Sequence, residues 1–377
     1  MDSPFIYTRP LKYDSFLGRQ NEVDWLCSNL EQGIHTMIIE PPNSGKQSLI
    51  NQGFISIHKG KTISKICTVP LFNVRQWSDF LFCLAEQSIG CFVNTLQEWK
   101  SICTDLLPLN NPTVFVNDKI INDVHLSFNP NLSDLQRDEL LELPESLCTH
   151  FQERLIVYMN DFQNIELFEP SYKPLINVLN FWKRHAQTTY LISASKPSSK
   201  RFMDGNKELL QKVFEQIPFT AIDEKLFTDF IIKGFTKAGR SINKDLAEMI
   251  YRKMDGHPYY TQHFAHLCYL NTKGFMNSAM FQQAYCELLD IHHRRFTQIT
   301  DDLSLPQINY LKATIHNVEH FCTVEVLKEY GLNSSANVSR IRAALEKKGV
   351  MLFEHNKLHF ADPVFKIWFK ERFIPYL

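Results

Sequence analysis

Thr36-Met37-Ile38-Ile39-Glu40-Pro41-Pro42-Asn43-Ser44-Gly45-Lys46-Gln47-Ser48 is a short apolar run, a polar turn and a Gly-Lys pair opening a helical stretch. A phosphate-binding loop needs a small residue before Lys, so that the backbone can wrap a phosphate. It needs Lys to meet the terminal phosphates and a hydroxyl to hold magnesium. The helix N-terminus adds N–H groups and the positive end of its dipole. Gly45 and Lys46 meet the pattern. Glu40 stands where the first Gly of G-x-x-x-x-G-K-[ST] belongs, and Gln47 where the hydroxyl belongs. Ser48 comes one residue late, on a different side of the helix. Taken alone, the stretch fits a plain strand-to-helix turn equally well.

Outward from this loop, apolar runs at 66–71, 154–159 and 189–193 read as further strands separated by amphipathic stretches. Strands alternating with helices predict an α/β class, a parallel sheet with helices on both faces. Residues 113–121 and 124–128 read as a hairpin inserted at about 110–130, and 129–145 as a loop leading into a short helix. The run at 154–159 ends in Asn160-Asp161. A P-loop enzyme uses an acidic pair at such a strand end to position magnesium and polarise water. Alone, this too fits a buried strand with a polar turn.

From about Asp223 the pattern turns helical: Phe227, Phe230, Ile231 and Phe235 recur at helical spacing, as do Leu246, Ile250 and Met254. Asp255-Gly256-His257-Pro258 stops one helix and starts the next. Three further helical stretches precede strand-like pieces at 350–353 and 357–360, which flank Glu354-His355-Asn356. That order is the winged-helix order. The expected organisation is a nucleotide-binding core at 1–222, a helical lid at 223–301 and a winged-helix domain at 302–377.

Composition narrows the function. At 377 residues the chain is too long for one hydrophobic core, and 44% apolar with 21% charged residues is an ordinary globular balance. A net charge of -1 makes no overall electrostatic case for nucleic acid or an acidic membrane. The 9 cysteines are scattered and odd in number, with no C-x-x-C pair. This argues against disulfide and zinc frameworks and suits a reducing, cytoplasmic setting. An early acid and no apolar segment at the N-terminus predict no signal peptide, and no run is long enough to cross a bilayer. His292-His293-Arg294-Arg295 reads as a solvated helix face rather than a metal or phosphate patch.

Five motifs in order carry a resemblance. They are Phe16-Leu17-Gly18-Arg19-Gln20-Asn21-Glu22, the loop end at 44–49, the strand end at 155–165, Gly256-His257-Pro258-Tyr259-Tyr260, and Asp362-Pro363-Val364-Phe365-Lys366-Ile367-Trp368. Over nearly its whole length the chain resembles the archaeal-type ATPase branch of the STAND class, relatives of AAA-type ATPases. The resemblance implies ATP or ADP bound by Asn43, Ser44, Gly45, Lys46, Gln47 and Ser48, with Gly18 and Arg19 near the adenine. Pro258 would report nucleotide to the lid. Asn160 stands at the family's magnesium-ordering Asp, and Asp161 at its catalytic Glu. Ser193 or Ser195 would sense the γ-phosphate. Magnesium would fall to Gln47, Asn160 and Asp161, a weakened set because a hard cation prefers anionic oxygen.

The function implied is a nucleotide-dependent switch or scaffold with weak or lost hydrolysis, acting on a protein partner. An active ATPase is one alternative. The other is a winged-helix DNA-binding protein, with Arg340, Arg342, Lys347 and Lys348 on its recognition helix beside Glu346.

Overall fold

The computed structural model describes residues 3–11, 15–60, 64–116, 124–169, 174–196, 200–237, 239–354 and 357–376. The apolar run at 36–40 forms β1 (Thr36–Glu40), between helices α1 (Gln20–Gln32) and α2 (Lys46–Lys59). Then come β2 (Ser64–Pro70), α3 (Trp77–Gly90), α4 (Leu96–Leu106), β3 (Thr113–Val116), β4 (Val124–Ser127), α5 (Asp134–Phe151) and β5 (Arg154–Asn160). A short turn of helix leads to α6 (Pro174–Trp182), β6 (Thr188–Ser195), α7 (Lys200–Gln211) and β7 (Glu215–Gln216).

The main sheet has the order β2-β5-β6-β1-β7, and its pairings are parallel. Successive side chains of a strand point to opposite faces. Both faces here are covered, so the strands read as continuous apolar runs. Leu155, Val157 and Met159 pack into the cluster that contains α3, α5 and α6, while Ile156 and Tyr158 join Ile38, Leu191 and helices α1 and α2 on the other face. β6 lies between β1 and β5, so its C-terminal end separates the loop after β1 from Asn160.

One local expectation changes. The stretch at 129–145 is mostly helix: α5 has 18 residues, opened by a capping box of Ser133 and Gln136. The helix runs through Pro144, which removes one ladder hydrogen bond and crowds the carbonyl one turn earlier without ending the helix. The inserted hairpin is present as β3 and β4, and residues 117–121 of its expected first strand lie outside the described residues.

The helical part is α8 (Glu224–Lys237), α9 (Lys244–Lys253), α10 (Pro258–Asn271) and α11 (Ser278–Asp301). Next come α12 (Leu305–Ile315), α13 (Val324–Glu329), α14 (Ser335–Lys347), the antiparallel pair β8 (Met351–Glu354) and β9 (Lys357–Phe360), and α15 (Pro363–Trp368). His355 and Asn356 of the expected turn lie outside the described residues. One continuous hydrophobic cluster runs from Ile222 through the helical part to Phe369, and it takes in Phe5 from the N-terminus. No helix among the described residues is long and apolar enough to cross a membrane.

Candidate functional site

The loop after β1 turns sharply because Asn43 and Gly45 take positive φ angles of 59° and 94°. Gly45 is the N-cap of α2, and no side chain caps that helix. The first-turn N–H groups of an α-helix have no intrahelical partner, so the start of α2 offers donors and a positive dipole end to the cavity it opens on. That cavity has a volume of about 410 Å³ and is lined by Asn43, Gly45, Lys46, Gln47, Ser48, Asn160, Asp161, Ser195 and Pro258, among others. The Lys46 Nζ donates to the carbonyls of Glu40 at 2.8 Å and Pro41 at 2.9 Å. An ammonium has three hydrogens, so one remains for a ligand. Burial pushes the Lys46 pKa down to about 8, against the opposing pull of Asp161 and Glu40.

The opposite wall is made of side chains that satisfy one another. Gln47 Nε2 lies 3.0 Å from Asn51 Oδ1, and Gln47 Oε1 3.0 Å from the Tyr158 hydroxyl. Tyr158 is 3.0 Å from Ser193 Oγ, which donates to Asn160 Oδ1 at 2.7 Å. Asn160 Nδ2 donates to Asp161 Oδ2 at 3.1 Å, and Gln163 Nε2 to Asp161 Oδ1 at 3.3 Å. The Tyr158 phenol is buried, which raises its pKa to about 12 and keeps it neutral. Ser48 does not substitute for the missing hydroxyl, because its Oγ accepts from the backbone N–H of Leu11 at 3.0 Å. Magnesium demands near-octahedral oxygen ligands at about 2.0–2.1 Å. This wall offers a single carboxylate that already accepts from Asn160 and Gln163, and where a hydroxyl would reach the ion it presents the Gln47 amide, engaged by Asn51 and Tyr158. The donor set does not fit magnesium.

Glu40 points away from the phosphate loop: its Oε1 accepts from the Phe219 N–H at 3.2 Å. Arg19 reaches the same linker. It donates to the Thr220 carbonyl at 3.1 Å and to the Ser44 carbonyl at 2.5 Å, and lies 4.3 Å over the Phe219 ring. Buried Glu22 accepts from the Thr220 N–H at 3.0 Å. The residues joining sheet to helical part are thus clamped beside the loop. Gly18 takes a positive φ of 67° and packs on Ile222 rather than lining the cavity. Ser44 is buried and faces a second cavity, of about 680 Å³, behind the loop.

The far wall of the first cavity comes from the helical part. Gly256, at φ 63°, sits so close to Tyr251 that an added Cβ would lie 2.6 Å from its hydroxyl, so only glycine suits this turn. The turn presents His257 and Pro258. His257 lies beside the Pro42 carbonyl of the loop, and burial pushes its pKa down to about 4. Two residues on, Tyr260 donates to Asp362 Oδ2 at 2.5 Å, and Arg295 donates to the same oxygen at 3.3 Å. Asp362 Oδ1 also accepts from the Val364 and Phe365 N–H groups, both at 3.0 Å, capping α15. Two motifs 102 residues apart in sequence are therefore in direct contact.

Some site residues escaped sequence reasoning. The N-terminal residues 6–11 line the cavity. Phe5 is buried against Gly234, Ile6 N donates to Gln262 Oε1 at 3.2 Å, and Tyr7 stacks on His263 with ring centroids 4.0 Å apart. Nothing local in the sequence signals these distant partners. Tyr158 read only as part of an apolar strand.

Of the His292-His293-Arg294-Arg295 stretch, His293, Arg294 and Arg295 are exposed, as a solvated face would be, and His292 is not. His292 is buried and lies 3.4 Å from His263, His293 Nδ1 accepts from Trp368 Nε1 at 3.1 Å, and Arg295 meets Asp362. Just past α14, Lys348 donates to the Asp302 carbonyl and to Gln307, and Arg340, Lys347 and Lys348 are all exposed.

With this geometry in view, comparison with known proteins concerns fold. No family model matches the chain, and no curated protein matches it in sequence. Among solved structures, a Walker-type ATPase of Pyrococcus abyssi is 14% identical with a TM-score of 0.62, over 96% of this chain and 99% of that one. The ORC2 protein of Aeropyrum pernix, in ADPNP–ADP complexes, is 11% identical with a TM-score of 0.59, over 97% of this chain and 95% of that one. The chain therefore shares the P-loop NTPase fold of these structures, which align with nearly its whole length.

Proposed function

We propose that this chain is a nucleotide-dependent switch in which ATP or ADP at the loop 43–48 sets the position of a C-terminal winged-helix domain that docks a protein partner. The phosphates lie on the N–H groups of α2 and on Lys46. The base lies between Leu17, Ile222, Phe227 and Pro258, which line the other end of the cavity. Hydrolysis is slow or absent, because the residues that would order metal and water are Gln47, Asn160 and Asp161. The supporting likeness is to structures described as an ATPase and as complexes with ADPNP and ADP.

The observation that carries the reading is the path out of the site. The Pro42 carbonyl meets His257, and Tyr260, one turn further along α10, holds Asp362 at the start of α15. A loop displaced by phosphate would move His257, and the rigid helix would carry that movement to the hydrogen bond. Protein docking suits α14 better than DNA does, since Lys348 is engaged within the chain and the net charge is -1.

Hydrogen exchange tests the switch. ADP should change protection in residues 357–376 as well as at the loop, and Lys46→Ala should abolish both changes. Protection confined to the loop would refute a switch and leave simple binding.

A further inference from the structure

We infer that this site takes its nucleotide phosphates without a divalent metal, and that Tyr158 is the residue that closes the metal position. The inference rests on the reading that nucleotide binds at the loop 43–48.

Gln47 is the first side chain after the phosphate lysine, and its amide is held from two sides, by Asn51 and by Tyr158. Tyr158 stands on β5 but points to the α2 face of the sheet, where Ile38 and Leu191 also lie. Its hydroxyl therefore comes up beneath the start of α2. From there the contacts continue through Ser193 to Asn160 and end on the Asp161 carboxylate. Each residue at which an ion would be ordered is a member of this chain of contacts.

Counting hydrogens gives the chain a direction. Tyr158 and Ser193 carry one hydroxyl hydrogen each, for three contacts: to Gln47, to each other and to Asn160. Heavy-atom positions do not distinguish the two ends of an amide. The count closes when Asn51 and Gln47 both turn their amides over, so that Gln47 receives Asn51's nitrogen and presents its own nitrogen to Tyr158. Each of the five contacts then has one donor and one acceptor, and all donors run toward Asp161. The Gln47 and Asn160 oxygens each already accept one of these bonds, and the Gln47 edge that faces Tyr158 presents a donor rather than the oxygen a cation needs. Placing an ion there breaks several neutral bonds that support one another and strands the buried Tyr158 hydroxyl, 2% exposed as a residue.

Charge on the phosphates is then met by the protein. Lys46 lines the cavity with Arg9, and Lys196 is close enough to Lys46 to act on its charge. The ligand is the metal-free nucleotide di- or triphosphate. Excess magnesium competes for that ligand, and more strongly for ATP than for ADP, because the triphosphate chelates the ion better.

The full chain is titrated by calorimetry with ADP and with ATP, in EDTA and again in excess magnesium chloride. Affinity in EDTA should equal or exceed that in magnesium for both nucleotides, with the larger magnesium penalty on ATP. Affinity about tenfold or more weaker in EDTA overturns the inference while leaving nucleotide binding intact. No heat in either buffer, with no thermal shift from either nucleotide, overturns both. The role of Tyr158 has its own readout, the manganese electron paramagnetic resonance signal with ADP present. Gln47→Thr with Asn160→Asp should bind manganese weakly, and adding Tyr158→Phe should strengthen binding by about tenfold or more. Equal manganese binding with and without the hydroxyl overturns that role. The titrations of the unaltered chain decide the metal question even if these variants do not fold.

Discussion

The two walls of the proposed phosphate cavity handle polarity in opposite ways. On the loop wall the donors are backbone N–H groups at an uncapped helix start, joined by one ammonium held on the carbonyls of Glu40 and Pro41. On the strand wall the polar groups are side chains, and they are spent on one another from Asn51 to Asp161. Backbone donors persist whatever side chains the sequence carries, provided the turn survives. Side-chain ligands change with single residues. An anion site on the first wall can therefore outlast a metal site on the second.

The largest expected effect breaks the loop wall. Lys46→Ala removes the one cation that the loop aims at the phosphates. It should weaken ADP binding by about a hundredfold to a thousandfold, or ~3–4 kcal/mol. Calorimetry against ADP measures this directly. A loss of only a fewfold would mean that the helix start alone supplies the affinity and that the lysine is not part of the site.

The next effect leaves both walls standing and cuts the loop wall's connection outward. Asp362→Ala removes the acceptor shared by Tyr260, Arg295 and two N–H groups of α15. Tyr260 is 2% exposed, so its hydroxyl is left without a partner in the core. The cost should be about 2–3 kcal/mol, seen as a fall of several degrees in Tm. ADP affinity should change little. A matching loss of ADP affinity would place Asp362 in the binding site rather than beyond it.

A smaller effect concerns the strand wall. Gln47→Thr with Asn160→Asp restores the two expected magnesium ligands but leaves Tyr158 and Ser193 in place. Phosphate release should rise by less than about tenfold, or ~1.4 kcal/mol of barrier. A larger rise would show that the two substitutions alone had silenced the site and that the hydrogen-bonded chain plays no part.

What could be read in the sequence follows from how local each signal is. The strand, the Gly-Lys turn and α2 are adjacent in the chain, so the loop wall was legible from residues 36–48. The turn at 255–258 was legible for the same reason: Gly and Pro mark helix ends whatever lies around them. The strand wall was only half legible. Asn160 and Asp161 stand out at the end of β5, but Tyr158 is one aromatic among apolar residues, and its partner Gln47 lies 111 positions away. Glu40 broke the loop pattern at the place of its first Gly. Its partner Phe219 is 179 positions away, and only the fold shows the side chain turned aside. His292 looked solvated because its helix carries charge, yet α11 is covered by α10 on one side and α15 on another, and of the two histidines only His293 is exposed.

The smallest expected effect separates the walls by pH. Lys46 titrates near 8, below its ordinary 10.5, because burial penalises its charge. Between those values the unfolded chain binds a proton that the folded chain has released. This lysine alone therefore makes the folded state more stable as pH rises through that window. Nucleotide acts the other way. Phosphate beside the ammonium favours the charged form and raises its pKa, so binding near pH 8 takes up a proton. Affinity should fall by a fewfold from pH 7.5 to 9, even as the contribution of Lys46 to stability improves. Nothing on the strand wall adds to this trend, because Tyr158 stays neutral up to about 12. Calorimetry at pH 8 in two buffers of different ionisation enthalpy counts the protons taken up. Lys46→Arg, which keeps its charge throughout this range, should bind ADP with no such uptake. Equal uptake in the arginine variant would assign the proton to another group and remove Lys46 from the account of the loop wall.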